Sequence, residues 1–255
     1  MIAIKISKGI FSYTQKWLFF KPNFTDAFKF VEFICASSTN SRFGFKRERH
    51  FTKVIDLSKK PEELLELCRK NTKYEIKRAD KEGVMFETEN DVNAFMDFYN
   101  LFVESKDILG ENLNIDKDYF YLFKDSLVIT KAVFGNEILV MHSYITSKEA
   151  KRSRLLNTAS LFRYEDDAQK KNLTGRANRF LHYQDMVYFK NQGFYTYDFG
   201  GYAYKPEDIE KVVFKRINEF KDSFGGELIE ESRYISLPLY ILMHIIGMVK
   251  KAFKN

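Results

Sequence analysis

The sequence has few cysteines, few prolines and no long apolar run, and each scarcity excludes a class of protein. Only Cys35 and Cys68 occur among 255 residues, so no disulfide framework or zinc-binding cysteine pattern is present, and we expect a cytoplasmic protein without a metal. Four prolines and 12 glycines leave no obvious linker. The longest apolar run, Leu237 to Val249, is broken by a histidine and a glycine and falls short of a membrane-spanning helix. The first residues, Met1 to Ser7, alternate like a strand and lack the pattern of a signal peptide.

Aromatic residues and positive charge, by contrast, are plentiful. Twenty-six phenylalanines and 15 tyrosines supply bulk for a hydrophobic core, and 255 residues suffice to bury one. The 41 lysines and arginines exceed the 35 acidic residues, which gives a formal net charge of +6. This excess favours anionic partners such as nucleotide phosphates, RNA or acidic lipid, and it is too diffuse to select one of them.

The pattern of apolar residues and turn signals predicts an α/β protein, with helices first, then an antiparallel meander, then alternating strands and helices. Gly135-Asn136 between two apolar runs is a hairpin signal. In the last helix but one, Val212 and Ile217 are expected to face the core. The predicted elements after residue 49 are strand His50–Leu57, helices Ser58–Gly83 (broken near Asn71), Asp91–Val103 and Asp116–Phe123, strands Leu127–Phe134, Ile138–Ile145 and Ser153–Phe162, helix Gly175–Asn191, strand Phe194–Phe199, helix Pro206–Phe224, strand Glu227–Ile235 and helix Leu237–Phe253.

A strand that ends in a polar residue and two glycines is the first candidate site. In Phe194–Phe199 the side chains alternate between two faces, so Tyr197 and Asp198 point to opposite sides. Asp198 precedes Gly200 and Gly201, and at least one of these glycines should have a positive φ, because the chain must turn sharply here. Asp198 could accept a proton from an amine or bind a substrate hydroxyl. Alternatively, it ties down the glycine turn through local hydrogen bonds.

The predicted start of the helix before this strand is the second candidate site. Small residues there would let a phosphate approach the first-turn amides, and Arg176 would add guanidinium donors. The alternative is that Thr174 is only an N-cap and Arg176 is a solvated side chain. The candidates for binding a cofactor are Asn172, Thr174, Gly175, Arg176 and Ala177.

Two helices carry further polar candidates. Asn178, His182 and Asp185 fall on one stripe of the helix Gly175–Asn191 by their spacing. His182 could be a general base or could bind the acceptor, and the alternative is a partly buried structural histidine. Lys221 could bind a substrate anion, or it could only offset the negative end of its own helix.

Two segments could contact larger anionic partners. The basic run Lys148–Arg154 could clamp phosphates or an RNA backbone, although a solvated turn is the commoner meaning of such a run. The segment 237–254 combines apolar bulk with three lysines at its end, so it could make peripheral contact with a membrane surface. A packed C-terminal helix is the alternative.

Four segments together resemble the Fem-type branch of the GNAT superfamily of N-acyltransferases. The resembling motifs are EIKRADKEG at the end of the first segment, NRFLH in the second, YDFGG in the third and FKDSFGGE in the fourth. Each motif is weak alone, and as a set they are fairly specific. The segments are Thr52–Gly83, Gly175–Asn191, Gly193–Gly201 and Ile217–Glu227.

The resemblance implies a GNAT-like fold, in which a twisted mixed sheet flanked by helices splays between two central strands. Here these strands would be Ser153–Phe162 and Phe194–Phe199. The pyrophosphate loop of the superfamily would fall on Asn172–Ala177, where Gly175 and Ala177 match the pattern and Asn172 departs from it. By the same resemblance Asp198 and His182 would be catalytic. The residues that would bind substrate are Asn178, Tyr197, Gly200, Gly201 and Lys221.

The resemblance also implies an activity. Fem proteins transfer amino acids from aminoacyl-tRNA to amines of cell-wall precursors, and other superfamily members use acyl-CoA. Fem enzymes usually carry two GNAT-like halves and are longer, whereas 255 residues have room for one complete half. This chain is therefore expected to be a single domain, 1–255, with a reduced N-terminal portion (1–50) and an acyltransferase core (51–255). Since no long coiled-coil arm for tRNA is visible in the sequence, we expect direct acyl transfer from acyl-CoA to a small amine, such as an amino sugar of envelope polysaccharide. The alternatives are aminoacyl-tRNA-dependent transfer to a cell-wall precursor and a non-catalytic GNAT-like binding protein.

Overall fold

The protein folds into two compact units in a computed structural model that describes residues 1–9, 11–107, 115–161, 167–205 and 211–252. The first unit is Met1–Thr52 with Leu228–Asn255, and the second is Lys53–Glu227. The expectation of one domain with a reduced N-terminal portion stays a prediction. Among the described residues, no helix combines the length and the apolar character needed to cross a bilayer.

The described residues form strands and helices in a mixed order. The strands are β1 (Ile2–Lys8), β2 (Phe11–Trp17), β3 (Val31–Ala36), β4 (Phe45–Asp56), β5 (Met85–Glu89), β6 (Leu127–Phe134), β7 (Glu137–Ser147), β8 (Arg152–Ser160), β9 (Thr196–Gly201) and β10 (Glu227–Ser236). The α-helices are α1 (Pro61–Leu67), α2 (Lys70–Glu82), α3 (Val92–Asp107), α4 (Lys117–Tyr121), α5 (Ala168–Asn191), α6 (Val212–Asp222) and α7 (Leu237–Ala252). A 3₁₀ helix, Phe24–Phe28, lies between β2 and β3.

The first unit is a mixed sheet with the strand order β1-β2-β3-β10-β4, to which β4 gives its first residues. β1 pairs antiparallel with β2, β2 parallel with β3, and β3 antiparallel with β10. The three isoleucines of β1 occupy alternate positions and are all buried, as the alternation in the sequence predicts. Val31, Phe33, Ala36 and Tyr234 form the core of this unit. β2 and β3 were not predicted from the sequence.

The second unit places the predicted hairpin, β6 and β7, between β5 and β8 of its sheet. From the last residues of β4 the strand order is β4-β9-β8-β7-β6-β5. β5 to β8 are antiparallel neighbours, and β8 pairs in parallel with β9. Helix α5 packs on this sheet, with Ala177, Phe180 and Leu181 against Ala132 and Val140. The α/β class and the mixed sheet flanked by helices are therefore confirmed.

The predicted break in the first helical segment is confirmed, and two other details of the helices are corrected. α1 begins with Pro61 at its first position and ends before α2 begins at Lys70. Helix α6 does not bury the stripe expected from its apolar positions, since Val212 and Ile217 are exposed while Asn218 and Lys221 are buried. The predicted start of this helix, at Pro206, lies outside the described residues. Helix α5 begins seven residues before the predicted Gly175.

Gly226, just before β10, lies very close to the backbone of β4, and a substitution there tests this contact. Its φ is +78°, and a Cβ there would lie 2.2 Å from the Val54 carbonyl oxygen, whereas Gly135 has a φ of +60° and open space. Gly226→Ala should lower the free energy of unfolding by roughly 2–5 kcal/mol, because a left-handed conformation and overpacking both carry a cost. Gly135→Ala should lose only about 1–2 kcal/mol from its conformation. Urea denaturation measures both, and equal losses would contradict the close approach.

Candidate active site

Two buried polar clusters lie on opposite sides of β9. Adjacent residues of a strand point to opposite faces, so Tyr197 belongs to one cluster and Asp198 to the other. One contains Asp198 and is called the aspartate cluster: Asp198, Arg152, Arg154 and Lys221. The other contains Tyr197 and is called the histidine cluster: His142, Tyr144, Asn178, His182, Asp185 and Tyr197. Both clusters lie within the second unit.

The carboxylate of Asp198 is completely buried between two arginines of β8. The parallel register sets Arg154 opposite Asp198 and Arg152 opposite Thr196. Asp198 Oδ2 accepts hydrogen bonds from Arg152 Nε at 3.0 Å, from Arg152 Nη2, and from Arg154 Nη1 at 2.5 Å. A buried carboxylate and two guanidinium groups form charge-assisted bonds that stabilise one another. The interpretation of Lys148–Arg154 as a solvated turn is therefore wrong for Arg152 and Arg154, which are buried.

The other oxygen of Asp198 fixes the glycine turn. Asp198 Oδ1 accepts a hydrogen bond from the Gly200 amide at 2.8 Å. Gly200 has a φ of +74°, and a Cβ there would lie 3.0 Å from the Leu155 carbonyl oxygen. This confirms that one of the two glycines has a positive φ. The local hydrogen bond anticipated as the structural alternative for Asp198 is present, and its catalytic role stays a prediction.

Lys221 brings an ammonium group to the same turn from the last turn of α6. Its Nζ donates to the Gly200 carbonyl at 3.4 Å and to the Gly201 carbonyl. Burial lowers the pKa of Lys221 to about 8, while the nearby Asp198 carboxylate acts in the opposite direction. Lys221 is therefore a buried amine whose charge changes close to neutral pH.

The histidine cluster is a chain of hydrogen bonds between α5 and the sheet. His182 Nδ1 lies 2.6 Å from the Tyr197 hydroxyl, which lies 2.8 Å from the Tyr144 hydroxyl. Tyr144 donates to Asp185 Oδ2 at 2.6 Å, and His142 Nδ1 lies 2.7 Å from the same oxygen. Burial holds the pKa of His182 well below its ordinary value, and the neighbouring His142 adds to this effect. His182 is therefore a neutral, buried imidazole, and its role as a general base stays a prediction.

Three members of the histidine cluster have metal-ligand chemistry. The ligand atoms of His142, His182 and Asp185 lie within 4.8 Å of one another, and within the described part of the chain Asp185 Oδ1 has no hydrogen-bond partner. The histidine cluster already engages His142 Nε2 with the Asn178 side chain at 3.0 Å, in addition to the bonds above. A metal ion would have to displace these hydrogen bonds, so the residues fit a hydrogen-bonded network at least as well as a metal centre.

The predicted phosphate loop at Asn172–Ala177 is wrong in its secondary structure. Helix α5 begins at Ala168, where Asp167 is the N-cap and accepts from the Gln169 amide at 2.9 Å. The predicted residues therefore lie inside the helix, where amides bond to carbonyls four residues earlier and are not free to bind an anion. Other polar groups of these residues also form hydrogen bonds or ion pairs within the protein. Thr174 donates to the Lys170 carbonyl at 3.0 Å, the Gly175 carbonyl accepts from Arg179, and Arg176 pairs with Glu82 at 2.8 Å.

All five predicted substrate-binding residues lie in or beside the two clusters. Asn178 and Tyr197 belong to the histidine cluster, and Lys221 contacts Gly200 and Gly201 beside the aspartate cluster. His142 and Tyr144 were not identified from the sequence, and Arg152 and Arg154 were included there only in a basic run, without their partner Asp198. The only signal for the arginines was their alternation at the start of a strand, and their partner could be found only from the β8–β9 register.

Comparison with solved structures identifies the same fold in three proteins of low sequence identity. FemX matches with a TM-score of 0.67 and 13% identity over 94% of this chain and 85% of that chain. The C-terminal domain of an Agrobacterium fabrum protein named as a lysylphosphatidylglycerol synthetase matches with a TM-score of 0.56 and 12% identity, over 97% and 84% of the two chains. L-PGS from Bacillus licheniformis matches with a TM-score of 0.54 and 13% identity, over 87% and 73%.

These matches confirm the resemblance to the Fem-type branch at the level of the fold. No family model matches the sequence, and no curated protein matches it.

Asp198→Asn tests the buried ion group directly. The substitution leaves the shape of the side chain almost unchanged but removes the charge between two buried guanidinium groups. We expect the free energy of unfolding to fall by about 3–5 kcal/mol, as when one partner of a buried pair is removed. Glu137→Gln is the control, because Glu137 pairs with Lys170 at 2.6 Å with side chains 49% and 35% exposed, and it should lose about 1 kcal/mol or less. Chemical denaturation of both variants decides, and a parent-like Asp198→Asn protein would contradict the ion group.

Proposed function

We propose that the protein is an aminoacyltransferase that moves an aminoacyl group from aminoacyl-tRNA to an amine on a cell-envelope precursor. The observation that carries the proposal is the position of Lys221, a buried ammonium group at the turn that ends β9. The fold that the chain has in common with FemX supports the class of reaction, and the resemblance in sequence supports the donor and the acceptor.

The proposed reaction is a direct transfer. The acceptor nitrogen attacks the ester carbonyl carbon, a nitrogen–carbon bond forms, and the carbon–oxygen bond to the tRNA ribose breaks. The proton lost by the amine ends on the released ribose oxygen. The ammonium of Lys221 would stabilise the negative charge that develops on the carbonyl oxygen. Burial raises the pKa of the Cys68 thiol to about 12, so this thiol stays protonated at neutral pH and does not supply a covalent nucleophile.

The surface of α2 supports RNA over acyl-CoA as the donor. Its outer face, opposite the buried Thr72, Ile76 and Ala79, has helical spacing and is exposed. The flanking Glu75 is paired with Arg179, and Glu82 is paired both with Arg176 and with Arg78 of the face itself, at 2.8 Å each. Four cations and one aromatic ring suit a phosphate backbone with a stacked base. We call this the basic face of α2, and its members are Lys70, Tyr74, Lys77, Arg78 and Lys81.

Two further observations bear on the donor. Tyr74, Lys77, Arg78 and Lys81 of the basic face line a surface cavity of about 470 Å³. The amides of Asn172–Ala177, from which pyrophosphate binding was expected, are inside α5. Both favour aminoacyl-tRNA over acyl-CoA.

One observation favours a second candidate, a non-catalytic GNAT-like protein. Asp198 and His182 are both buried and hydrogen-bonded, as they would be in a filled site. The two candidates differ in activity, so an assay with labelled aminoacyl-tRNA, labelled acyl-CoA and amine acceptors separates them. Label that moves from aminoacyl-tRNA to the amine supports the proposed function, and transfer from neither donor supports the second candidate.

Lys221→Met should lower kcat by about 10²–10³, the usual loss when one oxyanion-stabilising group is removed. Lys215→Met is the matched control, because Lys215 lies exposed on the same helix. Since the folded protein holds the Lys221 pKa near 8, the charged form is lost as the pH rises through that value, and kcat should fall above it. Lys221→Arg keeps the charge, so the kcat of this variant should not fall over the same pH range. A wild-type rate that is flat from neutral to alkaline pH would remove Lys221 from the mechanism.

Lys77→Ala combined with Lys81→Ala should weaken tRNA binding about equally for all tRNAs. Each lost phosphate contact should reduce the slope of log affinity against log salt by about 1. The matched control is Lys117→Ala with Lys124→Ala, which removes the same charge from exposed positions elsewhere in the second unit. Filter binding across a salt series gives the slopes, and equal slopes for both double variants would move the RNA surface away from α2.

A further inference from the structure

The first unit exposes four large aromatic side chains on one stretch of the chain. Phe20, Phe24, Phe28 and Phe43 are each at least 65% exposed, a fraction that is unusual for phenylalanine. The ring centroids of Phe24 and Phe28 are 5.5 Å apart, and those of Phe24 and Phe43 are 6.0 Å apart. We call these four residues the aromatic patch. An exposed apolar cluster of this kind is typical of a surface that binds a membrane or another protein.

Helix α7 extends the aromatic patch. Its amino end is tied to the residue after Phe43, since the Leu237 amide donates to the Gly44 carbonyl at 2.8 Å. The 3₁₀ helix that carries Phe24 and Phe28 packs against α7. Leu237, Ile241 and Ile245 follow one another at four-residue spacing and are 44–56% exposed. The apolar surface therefore comes from two distant parts of the sequence.

The charge around this surface has one sign. Asp26 is the only acidic residue among residues 1–31, and it is buried and paired with Lys16 at 3.0 Å and with Lys29 at 3.7 Å. Lys21 and Lys29, which flank the 3₁₀ helix, are exposed, and Lys21 Nζ lies 5.8 Å from the centroid of the Phe20 ring. Residues 33–47 and 234–252 contain no acidic residue. The exposed charges beside the aromatic patch are therefore cationic.

The whole first unit has the same bias. It contains thirteen lysines and arginines against five acidic residues, while the whole chain has 41 against 35. The second unit accordingly has more acidic than basic residues, and the positive excess of the protein belongs to the first unit. Aromatic rings with lysines beside them are typical of side chains that enter the interface of a membrane with anionic lipids.

We propose that the aromatic patch and the exposed face of α7 dock on a bilayer that contains anionic phospholipid. The phenylalanine rings and the isoleucines enter the boundary between headgroups and acyl chains, and the lysines contact the lipid phosphates. This inference is independent of the proposed transfer reaction. The contact expected from the sequence at 237–254 is thereby joined to residues 20–43, which no pattern in the sequence indicated.

Co-sedimentation of the full chain with vesicles tests the proposal. The protein should bind vesicles of phosphatidylcholine with phosphatidylglycerol, and bind vesicles of phosphatidylcholine alone much more weakly. The combined variant Phe24→Ser, Phe28→Ser and Phe43→Ser should bind the mixed vesicles at least about tenfold less, because each ring loses its transfer from water. Phe134→Ser, at an exposed position of the second unit, is the matched control and should bind like the parent.

A second variant separates charge from apolar contact. Lys21→Glu with Lys29→Glu should reduce binding to the mixed vesicles and leave the weak binding to phosphatidylcholine unchanged. Circular dichroism checks that both variants are folded. Parent protein that stays in the supernatant with mixed vesicles would overturn the proposal, as would parent-like binding by the triple variant. A parent dimer that the triple variant converts to a monomer, without vesicle binding, would assign the surface to a second copy of the chain instead.

Discussion

The buried group of Asp198 with Arg152 and Arg154 is the interaction on which the second unit depends. It joins β8 to β9 where the two strands pair in parallel, and through Asp198 Oδ1 it holds the Gly200 turn. That turn presents the two carbonyl groups to which Lys221 donates. One carboxylate thus supports both the turn that Lys221 contacts and the charge of this buried lysine. A buried network of this kind stabilises the fold only when every member has its partners.

The alternation of β9 links this group to the histidine cluster. Tyr197 and Asp198 are neighbours in sequence, yet one closes a chain of hydrogen bonds to α5 and the other closes the ion group on the opposite face. Asp198 and His182, the two candidates for proton transfer, are consequently both buried and hydrogen-bonded within these networks. Burial lowers the pKa of Lys221, at the same strand end, to about 8. Charge stabilisation by this ammonium group is the role that the proposed function gives it.

The two units differ in the chemistry that their surfaces offer. The second contains both buried polar clusters and the basic face of α2, which suit a transfer reaction with an RNA-borne donor. The first contains an apolar surface surrounded by lysines, which suits a lipid interface. An acceptor in the cell envelope would bring both chemistries to the same substrate. The two proposals nevertheless rest on different residues and can fail separately.

Local sequence determined the elements whose signals are local. The turn at Gly135-Asn136, the proline at the start of α1 and the alternation of β1 follow from the preferences of neighbouring residues, and the structure has all three. Helix α5 begins before its predicted start, because residues 169–172 are polar and give no apolar periodicity, although Asp167 caps the helix. Only the tertiary structure decided that Arg152 and Arg154 are buried and that Val212 and Ile217 are exposed. Arg152 and Arg154 are buried against Asp198, which lies more than 40 positions away in the sequence. Pairing between distant strands leaves no mark in the sequence of either strand alone.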